Sequence, residues 1–258
     1  LIRITGATAW IVPSRTRKVD FSAIVNDVCK THPEMTHVKG AFSELNNKAS
    51  GILALAHLPG EEVVVELQVP SGKSSFGEMG IRSLSHALLP VAVQGTADER
   101  YGMSKDCEID ILCSEGNAWQ REKRSVVRIY TSTQYCSGVV VNNTARDGDP
   151  LLLTAKHCID REYYAQASVF VFNYESPSCF GEDGSVDDIS RSGSELLAVG
   201  DSIDFSLVRI SETLPDEYKV SYAGWDLETD PAPMTTVIHH PEGDVKKISF
   251  DFNAPTAT

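Results

Sequence analysis

From Ser125 to Phe252 the chain repeats one pattern: a short run rich in Val, Ile, Leu, Phe and Tyr, then a break rich in turn residues. The runs are Ser125–Tyr130, Gln134–Val141, Pro150–Thr154, Val169–Tyr174, Glu195–Val199, Phe205–Ile210, Val220–Trp225, Thr235–His239 and Lys246–Phe252. Their length suits strands, and none has the periodicity of a long helix. Many short strands at this spacing predict an all-β barrel or sandwich. Gly181–Gly193, acidic and rich in Gly and Ser, reads as a surface loop.

The first hundred residues are patterned differently. Ile2–Pro13 predicts a strand. Phe21, Ile24, Val25 and Val28 follow helical spacing, with Asp20 as N-cap, and the helix ends near Thr31-His32-Pro33. Ser43–Gly51 is a polar turn. Ile52–Leu58 and Glu61–Val69, joined by Pro59-Gly60, predict a hairpin, and Met79–Leu89 a further strand. A small antiparallel sandwich is the economical reading. Thr96–Lys105 is polar, carries Arg100 and Lys105, and has the composition of an exposed, cleavable linker. Two domains are therefore expected, residues 1–104 and 105–258.

Charge sharpens that division. Residues 1–106 hold 11 basic and 11 acidic side chains, so the whole net charge of −13 falls after Asp106. Such a surface repels phosphate backbones, and no nucleic-acid partner is expected. No run of eighteen apolar residues occurs, so nothing is expected to span a membrane. The chain opens on Leu1, without initiator Met or signal-peptide pattern, which places any leader upstream. At 258 residues with 41% hydrophobic side chains there is enough chain for a real core. Six cysteines, without zinc-finger spacing, point to disulfides in an oxidising, extracellular compartment; no metal or cofactor is implied. Five of the six follow Asp106, so one partner is Cys29 or lies outside the chain.

The candidate chemistry sits in Leu151-Leu152-Leu153-Thr154-Ala155-Lys156-His157-Cys158. A buried strand running into a turn holds an imidazole at a sheet rim, as acyl transfer requires of a general base and acid. A core histidine beside a buried thiol is the competing structural reading. Asp204 opens the apolar run Asp204-Phe205-Ser206-Leu207-Val208, where a carboxylate could accept the imidazole N–H and fix its tautomer. Thr-Ala-x-His-Cys followed by Asp-Phe-Ser-Leu resembles the chymotrypsin-like serine peptidases. That resemblance implies a double β-barrel with His157 as proton carrier and Asp204 as its orienting partner.

A closer resemblance is to the secreted bacterial lysyl endopeptidases. It rests on Cys107-Glu108-Ile109-Asp110-Ile111-Leu112-Cys113-Ser114-Glu115-Gly116, Val141-Asn142-Asn143-Thr144-Ala145-Arg146-Asp147, and Asn173-Tyr174 before Cys179. Ala223-Gly224-Trp225-Asp226 and Ile238-His239-His240-Pro241 with Lys246-Lys247-Ile248-Ser249 add to it. The family implies disulfides Cys136–Cys158 and Cys113–Cys179, a third from Cys107 to a cysteine beyond Thr258, and peptide or protein substrates cut after lysine. Leu58–Pro70 looks like part of the family's propeptide. Residues 1–104 would then be a partial prodomain acting in cis, processed near Arg100 or Lys105. His239 and His240 could be taken for a metal pair, but neighbours on a strand face opposite ways, which favours structural roles.

The departure from the pattern lies after Asp204. No Gly-x-Ser-Gly turn occurs up to Thr258, and Gly200-Asp201-Ser202 is followed by Ile203, not glycine. Ser206, Ser211, Ser221 and Ser249 lack the glycine context. The expectation is a piece of the precursor that ends inside the second barrel, short of the nucleophile and of the residues that select the substrate. The alternatives are a catalytically inactive relative used for binding or adhesion, and an unrelated two-domain β-sandwich adhesin.

Overall fold

The structure is a computed structural model that describes residues 2–5, 39–42, 48–55, 64–67, 81, 104–105, 107–131, 134–181, 189–228 and 230–255. The chain divides into two compact units, Leu1–His86 and Ala87–Thr258.

In the first unit β1 (Ile2–Thr5) lies between β2 (Lys39–Phe42) and β3 (Val64–Leu67), antiparallel to both. The hairpin expected between Ile52–Leu58 and Glu61–Val69 is not found among the described residues. Residues 52–55 carry no strand, and Val64–Leu67 pairs instead with β1, Ile2 opposite Leu67. Leu and Ala favour strands less than the Val-rich run does, and a Pro-Gly turn does not by itself choose a partner. Lys48–Gly51 is a turn, as its polarity suggested, closed by Gly51 N–H on the Lys48 carbonyl at 2.9 Å. The predicted helix after Asp20 and nearly all of Met79–Leu89 lie outside the described residues.

The second unit is all-β. Its main sheet runs β10 (Ser194–Gly200), β11 (Phe205–Ile210), β7 (Leu151–Ala155), β6 (Tyr135–Val141), β5 (Val126–Tyr130), β8 (Val169–Val171), β9 (Ser190–Ser192), every pair antiparallel. Its two edges, β9 and β10, are consecutive in the chain and separated only by Gly193. Gly193 has φ 75°, a left-handed conformation that glycine adopts without a Cβ penalty. Its N–H bonds the Ser168 carbonyl on one side, and its carbonyl accepts from Ser211 N–H on the other. The sheet therefore closes on itself as a barrel of six strands, β9 and β10 being one bent strand. Closure removes the free edges that an open sheet would expose.

Alternation sets the interior. In β6 and β11 every second residue is buried, and Val127, Ile129, Val140, Leu152, Phe170, Val208 and Ile210 fill the barrel. Gly138 faces inward on β6, where an added Cβ would come within 2.7–2.8 Å of Leu152 and Ile129 side-chain carbons. A short helix, α1 (Glu162–Ala167), lies against β10, with Glu162 accepting from Leu196 N–H and Ser194 Oγ donating to the Ala165 carbonyl.

A second sheet orders β12 (Thr235–His239), β13 (Lys247–Asp251) and β4 (Ile109–Asp110). Among the bonds that tie it to the barrel side are His240 N–H to Ser137 Oγ at 2.8 Å and, fully buried, Lys246 Nζ to the carbonyl of Lys123, just ahead of β5, at 2.7 Å. Arg128, on the outer face of β5, is held between the rings of Tyr135 and Tyr174 at 4.5 and 4.3 Å. Among the described residues no helix is long and apolar enough to cross a membrane.

Two expectations need correction here. Val220–Trp225 is not a strand; it makes one parallel bridge, Ala223 to Val141, and leaves Trp225 exposed. The end of the presumed loop Gly181–Gly193 is barrel wall, since Ser190–Ser192 pairs with β8. Polar residues pair there because a main-chain ladder asks nothing of the side chains.

Candidate active site

The site follows from one strand register. β7 and β11 run antiparallel with Phe205 opposite Ala155 and Val208 opposite Leu152, so the end of one lies beside the start of the other. His157 follows Ala155 by two residues and Asp204 precedes Phe205 by one. Sequence positions 47 apart are thereby brought together at one rim of the barrel.

The two residues engage twice. His157 Nδ1 lies 2.6 Å from Asp204 Oδ2, and His157 N–H donates to Asp204 Oδ1 at 3.0 Å. Lys156 N–H donates to the Asp204 carbonyl at 3.1 Å. Asp204 has φ 49°, an uncommon conformation that aspartate tolerates better than most side chains. The His157 ring hydrogen bond, then its main-chain N–H, hold the Asp204 carboxyl below the usual carboxylate range, against a small opposing effect of burial. The Asp204 side chain is half exposed and that of His157 two-thirds exposed, so the imidazole stays open to a reactant. With Nδ1–H given to the carboxylate, Nε2 is left to accept a proton. No described residue bonds it.

Behind the pair the turn is fastened. Cys158 N–H and Ile159 N–H both donate to the Ala155 carbonyl, and Ile159 is fully buried. Cys158 is disulfide-bonded to Cys136 on β6, Cα to Cα 6.3 Å. Ser206 is fully buried and gives its hydroxyl to the Ile159 carbonyl, which makes it a structural serine. Ser202 is exposed in the turn between β10 and β11. Asp201, beside it, pairs with Lys156, a contact the sequence did not suggest. Cys136, His157 and Cys158 lie close enough to ligate a metal, but both sulfurs are in the disulfide, which leaves a single imidazole.

The remaining candidates lie elsewhere. Cys113 bonds Cys179, Cα to Cα 4.4 Å, while Cys107 is an exposed free thiol. His239 Nε2 sits 3.5 Å from Glu108 Oε1. His240 is buried, its Nδ1 2.9 Å from the Asp244 carbonyl; burial, and secondly the charge of Lys246, hold it well below the usual imidazole range. The adjacent histidines thus serve different partners.

The profile of the family described as lysyl endopeptidase, C-terminal domain, matches residues 101–258. Among curated proteins, a lysyl endopeptidase of Pseudomonas aeruginosa is 25% identical over 237 residues, an alignment covering 83% of this chain and 50% of the relative. The chain thus spans about half the length of that relative. Among solved structures, the crystal structure of the Rv3671c protease in an inactive form aligns with a TM-score of 0.30 and 15% identity, over 50% of this chain and 51% of the other. That likeness is too slight to bear on the fold, which the strand register establishes by itself.

Proposed function

Because the chain belongs to the lysyl endopeptidase family through residues 101–258, we propose that it carries the histidine and aspartate of a secreted serine endopeptidase. The carrying observation is the double contact between His157 and Asp204 at an open barrel rim. His157 would take the proton of a serine hydroxyl as it attacks the scissile carbonyl and return it to the leaving amine. Asp204 would hold the tautomer and stabilise the imidazolium. We place the nucleophile outside these 258 residues, since they hold no Gly-x-Ser-Gly turn to present a hydroxyl beside oxyanion donors. No cofactor enters this chemistry.

The family supports peptide or protein substrates, with cleavage after lysine as the preference to test and arginine as the alternative. Residues 1–104 would be part of a prodomain in cis, and 105–258 the start of the peptidase domain. Two disulfides suit an extracellular setting. The missing Gly-x-Ser-Gly also favours a second reading, a catalytically inactive relative used for binding or adhesion.

The test compares the 258-residue chain with its complete parent on lysyl and arginyl esters. The parent should turn over the lysyl ester, and the chain alone should be inert, because loss of the nucleophile removes nearly all of a triad's rate enhancement. Turnover by the chain alone would contradict the assignment of the nucleophile. An inert parent would favour the second reading.

A further inference from the structure

His157 is held from two sides, and only one of them is the aspartate. Gln134 Nε2 donates to the main-chain carbonyl of His157 at 2.6 Å. The donor is not a loose surface amide. Gln134 stands at the mouth of the β5–β6 hairpin, where its carbonyl accepts from Thr131 N–H at 3.0 Å and from Thr131 Oγ1 at 3.1 Å. Its own N–H donates back to Thr131 Oγ1 at 3.2 Å. Thr131 is buried, so this end of the hairpin is anchored in the barrel. From there the side chain reaches the turn that Cys136, two residues further on, fastens through Cys158.

We propose that Gln134 is a positioning residue for His157, a proposal that rests on the reading of His157 as proton carrier. The peptide on the amino side of His157 is held by Asp204 Oδ1, and the peptide on its carboxyl side at its carbonyl by Gln134 and at its N–H by the Ala155 carbonyl. Two fixed peptide planes set the direction of the Cα–Cβ bond, and with it the line along which Nδ1 meets Asp204 and Nε2 faces the reactant. Releasing the carbonyl leaves that peptide held by Cys158 N–H and the disulfide alone, and loosens it enough to admit water more often to the Nδ1–H···Oδ2 contact. The effect acts through His157; Gln134 itself touches no reacting atom.

The signature of that contact is the Nδ1 proton of His157, which resonates far downfield when held by a carboxylate and whose exchange with water can be timed. The experiment uses the 258-residue chain labelled with nitrogen-15, with His157→Ala to assign the resonance. Gln134→Ala and the near-isosteric Gln134→Glu both remove the donor, and each should speed exchange of that proton roughly two- to tenfold, the factor that one net hydrogen bond carries. Gln134→Lys keeps a donor of similar reach and should bring the rate back towards wild type. That recovery separates positioning from a general loss of stability, which thermal melting of the same variants monitors. A downfield proton present in the wild type but unmoved in Gln134→Ala and Gln134→Glu would overturn the positioning role while leaving the His157–Asp204 pair intact. Its absence from the wild type would overturn both.

Discussion

Lys246 and Lys247 are adjacent identical side chains with opposite fates, and the difference is not visible in the sequence. Lys247 pairs with Asp110 at 2.5 Å. Lys246 is fully buried and gives its ammonium to a main-chain carbonyl. Burial, opposed by Glu175 and reinforced by Lys123, lowers its pKa from 10.5 to about 7. The unfolded chain therefore holds this proton more tightly than the folded one. The cost of burying this one amine is absent above about pH 10.5 and grows as pH drops towards 7, to an amount on the order of 5 kcal/mol. His240, also buried with its pKa depressed, carries the loss on below its ordinary 6.5. The melting temperature should accordingly rise between neutral and pH 10, and Lys246→Met should flatten that rise. An equal slope in the variant would show that the buried amine is not its source. The contact of His157 with Asp204, by contrast, was legible, because Thr-Ala-x-His-Cys followed by Asp-Phe-Ser-Leu resembles the peptidase pattern. Gln134 was not legible, since nothing in its neighbours signals a side chain reaching 23 residues ahead.

Among the elements, strands with their own alternation were readable: β6 and β11 bury every second residue and lie where the apolar runs predict. What failed was pairing and polar wall. Val64–Leu67 was identified as a strand but given the wrong partner, because the choice between Ile2–Thr5 and Ile52–Leu58 is made by tertiary contacts. Ser190–Ser192 was missed because its contribution is main-chain hydrogen bonding on both sides of Gly193, which composition does not report. The short β4, two residues long, is a strand only by virtue of β13 beside it. Gly193 is therefore the element-level test. With φ at 75°, Gly193→Ala imposes a left-handed conformation on a residue with a Cβ, costing roughly 1–2 kcal/mol. At about 2–4 °C per kcal/mol for a chain of this size, a fall in melting temperature of several degrees is expected. An unchanged transition would mean that closure tolerates a different backbone there.

For the whole molecule, the proposed arrangement of prodomain and peptidase domain turns on the polar segment before Cys107. Lys105 is already committed: its N–H donates to Glu108 Oε2 at 2.7 Å and its carbonyl accepts from Glu108 N–H at 2.9 Å. Ser104 bonds Asp244, and His239 meets Glu108, so the stretch from Ser104 onward is tied to the second sheet. A peptide bond folded into such a turn is a poor protease substrate. Limited trypsin digestion should therefore cut after Arg100 before it cuts after Lys105, leaving an acidic core that retains Cys107. Glu61–Val69 holds no Lys or Arg, so first cleavage after Lys48 or Lys73, the lysines that flank it, with the linker protected, would contradict the two-domain proposal. The central claim, that His157 and Asp204 form the proton-carrying pair of a peptidase, is tested most directly by kcat of the complete parent on a lysyl ester, wild type against Asp204→Asn. An amide in that position keeps the fold but favours the wrong imidazole tautomer, and kcat should fall about 10⁴-fold at neutral pH. A variant that retains kcat within about tenfold of wild type, a difference of only ~1.4 kcal/mol in barrier, would contradict the account.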